Sequence, residues 1–259
     1  IWQPAPAWRL RAAGQQAFRR PTLNELYRPF RQGANVTEAN SALLTEHVTT
    51  GELAAEWAQP RSEPAGLSLN AAVFWNDLRD AVGNVTLVRG PGTFPLFGAI
   101  AAGGVGRQKL NLARTEVRGL ELGGTWRAGD SLSFNADALF NHATVRRASV
   151  APALVGKRIV QVPRRSATLG ATWRAAGGFI VTPRLRWIGA QFEDDENQLP
   201  LGEVVIVDLG ISRPLTKNIE LFLTAENLAD ARLETGRSVD GVVNIGTPRF
   251  LLGGLRGSW

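Results

Sequence analysis

The chain has 259 residues, of which 44% are hydrophobic, and it carries a formal net charge of +6. It contains no Cys, which excludes disulfides and thiolate metal sites, and no run of about eighteen apolar residues, which excludes an ordinary membrane-spanning helix. Its basic residues form no stripe interleaved with stacking aromatic residues, so the charge does not indicate a nucleic-acid partner.

In chain order, ten segments are predicted to be β-strands because apolar and polar residues alternate along them. They cover residues 5–13, 47–58, 66–76, 116–127, 131–142, 165–174, 179–188, 203–212, 218–229 and 249–259. The alternation is clearest in 165–174, where one side carries Ala167, Leu169, Ala171 and Trp173. This pattern predicts strands whose two faces meet different surroundings. The apolar face meets either lipid or the core of a soluble sandwich.

The connections between the predicted strands alternate in length. Short turns cover 128–130, 175–178 and 213–217, whereas long polar connections cover 19–46, 78–114, 141–163, 189–203 and 230–247. Outer-membrane barrels have this asymmetry, with short periplasmic turns and long outer loops. Because lipid offers no partner for free backbone amides, a chain that spans the membrane with strands has to close them into a barrel.

Aromatic residues mark both ends of the predicted strands. The rim with the short turns carries Trp57, Trp126, Trp173 and Trp259, and the other rim carries Trp75, Phe140 and Trp187. Two aromatic levels about ten residues apart are typical of the girdles at the two membrane interfaces. The alternative is that these rings cap the core of a soluble β-sandwich.

Four segments resemble, in order and spacing, motifs of the TonB-dependent outer-membrane receptors. Residues 18–27 are similar to the family's Arg-x-Pro-Thr…Glu-Leu-Tyr stretch, and residues 115–122 to its Gly-(Val/Leu)-Glu-(Leu/Ile) strand. Residues 225–230 resemble its Asn-Leu-Phe-Asp motif, with Ala229 in place of the aromatic residue. Residues 246–259 resemble its Pro-Arg pair and closing strand. The resemblance covers nearly the whole chain.

The resemblance implies an all-β fold: the C-terminal portion of an antiparallel transmembrane β-barrel, with about ten strands of a barrel of about 22. Residues 1–259 then belong to one barrel domain, and the family's plug domain lies outside them. Because the chain starts with neither Met nor a signal-peptide pattern, we expect a fragment or a processed piece. Such a piece alone is expected to form an open, curved sheet or to aggregate, since two strand edges stay unpaired.

The resemblance also implies location in the bacterial outer membrane and TonB-coupled uptake of a large scarce nutrient, such as a ferric siderophore or cobalamin. The alternative function is a passive diffusion or structural barrel. No nucleophile-elbow arrangement points to an enzyme. We expect no cofactor and, with only the distant His47 and His142, no histidine metal site.

The expected partners follow from the same resemblance. They are outer-membrane lipid and lipopolysaccharide, the missing plug and barrel strands, and TonB through the missing N-terminal segment. The last strand ends in the aromatic residue Trp259, which resembles the signal that the barrel assembly machinery reads by strand pairing.

Two groups of residues are candidates for the site. The first long loop holds a cluster of basic and aromatic residues that we predict to bind ligand, because guanidinium groups favour an anionic chelate. The predicted ligand-binding residues are Arg19, Arg20, Tyr27, Arg28 and Arg31. These residues could instead bind lipopolysaccharide phosphates or brace the loop. The predicted lumen-facing residues are Glu121, Asp137, Arg184, Arg186, Asp208 and Glu226, and each is expected to pair with plug side chains and water. The acidic run 193–196 is expected to be a solvated loop tip rather than a calcium site.

Overall fold

The computed structural model describes residues 1–60 and 65–257, which are almost entirely β-structure. The strands are β1 (Trp2–Ala5), β2 (Trp8–Arg19), β3 (Phe30–Gln32), β4 (Asn35–Glu38), β5 (Glu46–Ala58), β6 (Gly66–Arg89), β7 (Gly92–Phe94), β8 (Gly98–Ile100), β9 (Val105–Arg127), β10 (Leu132–Arg147), β11 (Arg165–Arg174), β12 (Ile180–Ile188), β13 (Gln191–Phe192), β14 (Pro200–Leu201), β15 (Val204–Pro214), β16 (Ile219–Glu226), β17 (Glu234–Arg237), β18 (Val243–Ile245) and β19 (Phe250–Gly257). One α-helix, α1 (Leu23–Tyr27), and 3-10 turns at Pro152–Leu154 and Ala176–Gly178 complete the elements of the described ranges. Within these ranges, no helix combines the length and apolarity needed to cross a membrane.

Eleven strands pair side by side into one continuous antiparallel wall. Their order is β1-β2-β5-β6-β9-β10-β11-β12-β15-β16-β19. Wall strands that follow one another along the chain are therefore neighbours in the sheet, and β1 and β19 form its two edges. In the described residues no pairing joins β1 to β19, and the wall is therefore an open part of a barrel. All ten predicted strands are present, which confirms the all-β antiparallel class, and the short β1 is an additional edge strand.

The long connection predicted at 78–114 is wrong, because most of it is strand. β6 and β9 are 24 and 23 residues long and stay paired as far as Arg89 and Val105. Only the tip, which holds the small β7–β8 hairpin, departs from the ladder. Outside the lipid neither face of a strand has to be uniformly apolar. The period-two signal therefore fades while the backbone ladder continues.

The apolar face of the wall is exposed and has no second layer over it. Leu53 is 61% exposed, Leu169 52% and Leu255 67%, and the two tryptophans Trp126 and Trp173 are half exposed. A soluble sandwich would bury this face against another sheet about 10 Å away. No such sheet covers the wall among the described residues, so the sandwich alternative is excluded.

Both edges of the apolar band cross the ladder diagonally. When paired residues are followed across the ladder, Trp126 lies two residues closer to the short-turn rim than Trp57 does. Trp173 in turn lies two residues closer to that rim than Trp126. The outer residues Trp75, Phe140 and Trp187 shift by the same step. Strands that tilt against a flat bilayer require such a shift, because paired residues on neighbouring strands then lie at different depths. Trp259 falls outside the described residues.

Densely packed apolar clusters lie beyond the outer aromatic level. One consists of Val85, Leu112, Val145, Ala148 and Leu154, and a second of Val36, Phe97 and Ile100. The second forms because β4 runs parallel to the outer end of β9. We call this assembly, made of residues 20–45, 80–113, 143–163, 189–203 and 227–249, the outer cap. Its loops pack on one another like part of a soluble domain.

Candidate functional site

The face opposite the tryptophans carries the charged residues of the wall. All six predicted lumen-facing residues have this parity in the ladder. Asp208 accepts hydrogen bonds from Arg184 and Arg186 on the neighbouring strand β12, at 3.2 Å and 2.9 Å, and from the backbone N–H of Asn227 at 3.0 Å. Asp208 is buried beneath the two arginines. These two guanidinium groups are therefore engaged within the wall itself.

The first outer loop is held by an ion-pair network at α1. Thr22 and Glu25 form a capping box, in which the Glu25 carboxylate accepts from the Thr22 backbone N–H at 2.7 Å. Arg19 donates to Glu25 at 2.9 Å and also to Glu46. The Arg19 guanidinium and the Thr22 hydrogen bonds lower the pKa of Glu25 to about 2. The Arg-x-Pro-Thr…Glu motif thus builds a braced helical turn.

The other predicted ligand-binding residues surround this turn. Arg20, Tyr27 and Arg28 are exposed, and Arg31 donates to the carbonyl oxygen of Ala99 at 3.2 Å. Their role in ligand binding stays a prediction. The same holds for Arg19, whose guanidinium group already has two carboxylate partners.

A pocket of about 380 Å³ opens where four parts of the outer cap converge. The contributors are the β3–β4 hairpin, the outer ends of β6 and β9, the 193–199 segment and the β17–β18 hairpin. Its side chains include Phe30, Asn35, Asn84, Arg107, Glu193, Arg237, Asp240 and Asn244. We call it the mouth pocket. Of the five predicted ligand-binding residues, none lines it, although Phe30 comes from the same loop.

Arg107 is the charged residue of the mouth pocket with no carboxylate partner in the described part of the chain. The other three charged side chains are engaged: Arg237 pairs with Glu234 at 2.9 Å, Glu193 accepts from Gln161 at 2.7 Å, and Asp240 accepts from Ser238. The Nε atoms of Arg107 and Arg237 are buried without a hydrogen-bond partner. Because Arg107 lines the pocket without a carboxylate partner, its guanidinium group is available to an anionic or acceptor-rich ligand.

The acidic run 193–196 lies inside the outer cap, so the expected solvated tip is wrong. Asp194 is 4% exposed, and its carboxylate accepts from the backbone N–H groups of Gln198 and Leu199. Asp195 accepts two hydrogen bonds of 2.8 Å from Thr86, and Glu196 pairs with Arg89. These carboxylates fasten one outer loop to the end of β6. No metal-holding cluster of His, Asp or Glu is present in the ranges that the structure describes.

The last two motifs meet at the final outer loop. Asn227 adopts the left-handed conformation with φ of 49°, and its side chain bonds to the backbone of Ala231 and Thr247. Asp230 accepts from the backbone N–H of Arg249 at 2.9 Å. Asn and Asp tolerate positive φ better than other non-glycine residues. The motif therefore sets where β16 ends and where β19 begins.

An open antiparallel wall with a lipid-exposed apolar face, a charged inner face and a cap of long outer loops defines an outer-membrane β-barrel. The model of the family described as "TonB dependent receptor-like, beta-barrel" matches residues 1–228. The chain belongs to this family, which confirms the expected resemblance and places the protein in the outer membrane.

Relatives of known identity lie in the same family. The chain is 26% identical over 197 residues to the pesticin receptor of Yersinia enterocolitica, covering 72% of this chain and 26% of the receptor. In fold it is similar to the ferric yersiniabactin uptake receptor FyuA of Yersinia pestis, with a TM-score of 0.70, 16% identity, and coverage of 99% of this chain and 36% of that one. It is also similar to the siderophore receptor PiuA of Acinetobacter baumannii, with a TM-score of 0.72, 17% identity, and coverage of 99% and 34%. The chain thus spans about a quarter to a third of the length of these proteins.

Sequence inspection missed both arginines of the mouth pocket. Arg107 falls in the segment predicted to be loop at 78–114, and Arg237 in the loop at 230–247. For Arg107 the available signal was the short alternation Leu110-Asn111-Leu112, which would have extended β9 outward. The residues of the pocket come from segments far apart in the chain, so only the folded cap brings them together.

Proposed function

We propose that this chain forms the C-terminal wall and outer loops of a receptor that takes up an anionic ferric siderophore by TonB-coupled transport. Membership of the TonB-dependent receptor family supports energy-coupled uptake and does not favour the passive barrel. Two similar structures, the ferric yersiniabactin uptake receptor of Yersinia pestis and the siderophore receptor PiuA of Acinetobacter baumannii, support an iron chelate as substrate. TonB itself would bind a segment outside this chain.

The observation that supports an anionic substrate is the guanidinium group of Arg107. Arg107 lines a pocket at the outer mouth, is half-buried, and has no carboxylate partner among the described residues. In such a position a guanidinium group binds a carboxylate, phenolate or catecholate oxygen more strongly than water does. The phosphodiester of cobalamin also offers an anionic oxygen to a guanidinium group, so the choice of a ferric chelate over cobalamin rests on the similar receptors and not on this pocket.

The proposal is tested in a strain that lacks the chromosomal receptor and carries the full-length receptor containing this chain. Growth under iron limitation is measured with ferric chelates of the catecholate, phenolate and hydroxamate types, and cobalamin-dependent growth is measured in parallel. We expect growth on an anionic chelate. Growth that depends on the receptor only with cobalamin would contradict the proposal.

The variant Arg107→Gln removes the charge and keeps a polar side chain that still donates hydrogen bonds. We expect uptake of radioactive iron at limiting chelate to fall by roughly tenfold or more, as for the loss of a charge-assisted bond. Arg174→Gln, at the opposite rim, is the matched control and should keep full uptake. Arg28→Gln tests the first-loop prediction in the same assay. A loss with Arg28→Gln but not with Arg107→Gln would move the site to the first loop.

A further inference from the structure

Two carboxylates of the mouth pocket carry negative charge that no cation of the chain balances. Glu193 accepts a hydrogen bond of 2.7 Å from the side-chain amide of Gln161, and Asp240 accepts one from the Ser238 hydroxyl group. Both donors are neutral, and neither carboxylate forms an ion pair in the part of the chain that the structure describes. The Ser238 hydrogen bond lowers the pKa of Asp240, so this carboxyl group is ionised at neutral pH. The mouth pocket therefore holds free negative charge beside the free positive charge of Arg107.

Arg107 lies in the floor of the mouth pocket. Its cross-strand neighbours in the ladder are Thr37 on β4 and Thr86 on β6, which are neutral hydroxyl side chains. The other guanidinium group of the pocket, that of Arg237, is neutralised by Glu234. Among the described side chains that line the pocket, one guanidinium group and two carboxylates are therefore left without a partner of opposite charge.

The two carboxylates belong to separate walls of the pocket. Asp240 lies in the turn between β17 and β18 and packs on Gly103, where an added Cβ atom would come within 3.2 Å of the Cβ atom of Asp240. Glu193 belongs to the segment 193–199, which is fastened to the end of β6. A ligand that rests on Arg107 would thus meet a carboxylate from each of two outer loops.

The size of the mouth pocket limits what part of a ferric chelate enters it. Its volume of about 380 Å³ is near the lower end of the range for small-molecule sites, which is roughly 300–1,000 Å³. A large iron chelate would place one arm in such a pocket rather than its whole body. The charges of the pocket therefore act on the groups at the edge of the chelate.

A chelate with only negative groups matches this charge pattern poorly. When three doubly charged catecholates bind Fe³⁺, the complex keeps three negative charges. One free guanidinium group attracts such an edge, and the two free carboxylates repel it. An ammonium group on the same chelate changes this balance, because it has three N–H donors and no acceptor and can bind a carboxylate.

We propose that the mouth pocket selects an anionic ferric chelate that also carries an ammonium group. An oxygen of the chelate binds Arg107, and the ammonium group binds Glu193 and Asp240. This inference rests on the proposed uptake of a ferric chelate and adds which chelates the receptor prefers. Discrimination comes from repulsion as well as attraction, since the two carboxylates disfavour a chelate that lacks the ammonium group.

The test uses two ferric chelates that differ in one charge. The chelate type that supports receptor-dependent growth in the assay above is prepared with a pendant primary amine, and part of it is N-acetylated, which removes the positive charge. Uptake of radioactive iron from each chelate is measured at limiting concentration in the strain with the full-length receptor. We expect the amine form to be taken up roughly fivefold faster, a value that allows for the solvent exposure of Asp240.

The outcomes separate this inference from the proposed function. Equal uptake of the two chelates, or faster uptake of the acetylated one, would overturn the inference and leave the proposed function intact. If no ferric chelate supports receptor-dependent growth, both are overturned.

The double variant Glu193→Gln/Asp240→Asn removes both charges and keeps the size of both side chains. We expect uptake of the amine chelate to fall and uptake of the acetylated chelate to rise, so that the preference disappears. Damage to the fold would lower both rates, and opposite changes therefore identify an effect of charge. The matched control Glu38→Gln/Asp130→Asn removes two carboxylates that lie outside the pocket and should keep the preference. A preference that persists in the first variant, or disappears in the control, would refute the assignment.

Discussion

In the wall, large apolar side chains such as Leu169 and Leu255 are more than half exposed, whereas in the outer cap Val85 and Ile100 are no more than 2% exposed. Both regions are built largely from antiparallel ladders with similar apolar residues. They differ in the solvent that each ladder meets. The apolar face of the wall contacts hydrocarbon and stays exposed on the protein. The cap lies in water, so its apolar side chains have to be buried within the cap.

The comparison also separates two uses of charge. On the inner side of the wall, arginines and carboxylates pair across neighbouring strands, as Arg184 and Arg186 do with Asp208. In the mouth pocket, by contrast, Arg107 lacks such a partner among the described residues, although Arg237 pairs with Glu234. The unpaired guanidinium group of Arg107 therefore lies in the outer half of the molecule, where we propose that an anionic ligand binds.

The largest effect is expected from a charged side chain placed on the lipid face of the wall, because it tests whether that face meets hydrocarbon. In the full-length receptor we expect Leu169→Arg to cost about 2–4 kcal/mol of barrel stability, because an Arg would lie near the bilayer midplane. Thr168→Arg, one residue earlier and on the lumen face opposite Asp137, is the matched control and should be tolerated. Urea titration of the reconstituted receptor, followed by gel mobility, measures both. Equal losses would show that the parity assignment is wrong.

A smaller effect is expected from a cavity in the outer cap. Leu154 is 4% exposed within the first apolar cluster, and Leu154→Ala should destabilise the cap locally by about 2 kcal/mol. Hydrogen exchange of residues 143–159 should become faster, while exchange in the wall strands stays the same. Val155→Ala, at a neighbouring residue that is 51% exposed, should leave both regions unchanged. Faster exchange in the wall would show that cap and wall unfold together.

The smallest expected effect is a pH response of the first outer loop. The pKa of Glu25 is lowered from 4.5 to about 2, so its ion pair and capping box contribute fully above pH 4.5. That contribution should be lost as the pH falls through about 2. Hydrogen exchange of residues 20–28, corrected for its intrinsic pH dependence, should show protection at pH 4 that disappears near pH 2. Glu25→Ala, which removes both the ion pair and the capping box, should lack the protection already at pH 6, and a pH response that persists in this variant would assign it to another group.

Much of the wall was predictable because its information is local. Strand 165–174 was predicted with the bounds that β11 has, since every second residue reports the same face. The prediction failed where both faces of a strand leave the lipid. In β6 beyond Leu78, charged and apolar residues mix, yet the ladder continues because backbone pairing with β9 does not require a uniform face.

The sites were predictable to a smaller extent. The basic residues of the first loop were visible as a cluster in the sequence, and Arg19 proves to be engaged with Glu25 and Glu46. Arg107 stood alone in the sequence, and the acidic run that contains Asp195 gave no sign of its bond to Thr86, more than a hundred residues earlier. Contacts over such separations leave no periodic trace in the chain.

The strands, the face that each strand turns to lipid and the family could be predicted from the sequence alone, because alternation and short motifs depend on residues that are close together in the chain. The diagonal arrangement of the aromatic levels was visible only in the folded protein, since strand tilt is a property of paired strands rather than of one strand. The tertiary structure also decided which arginines are left without carboxylates. That outcome depends on which loops the folded wall brings together, and on how each ladder places neighbouring charges side by side.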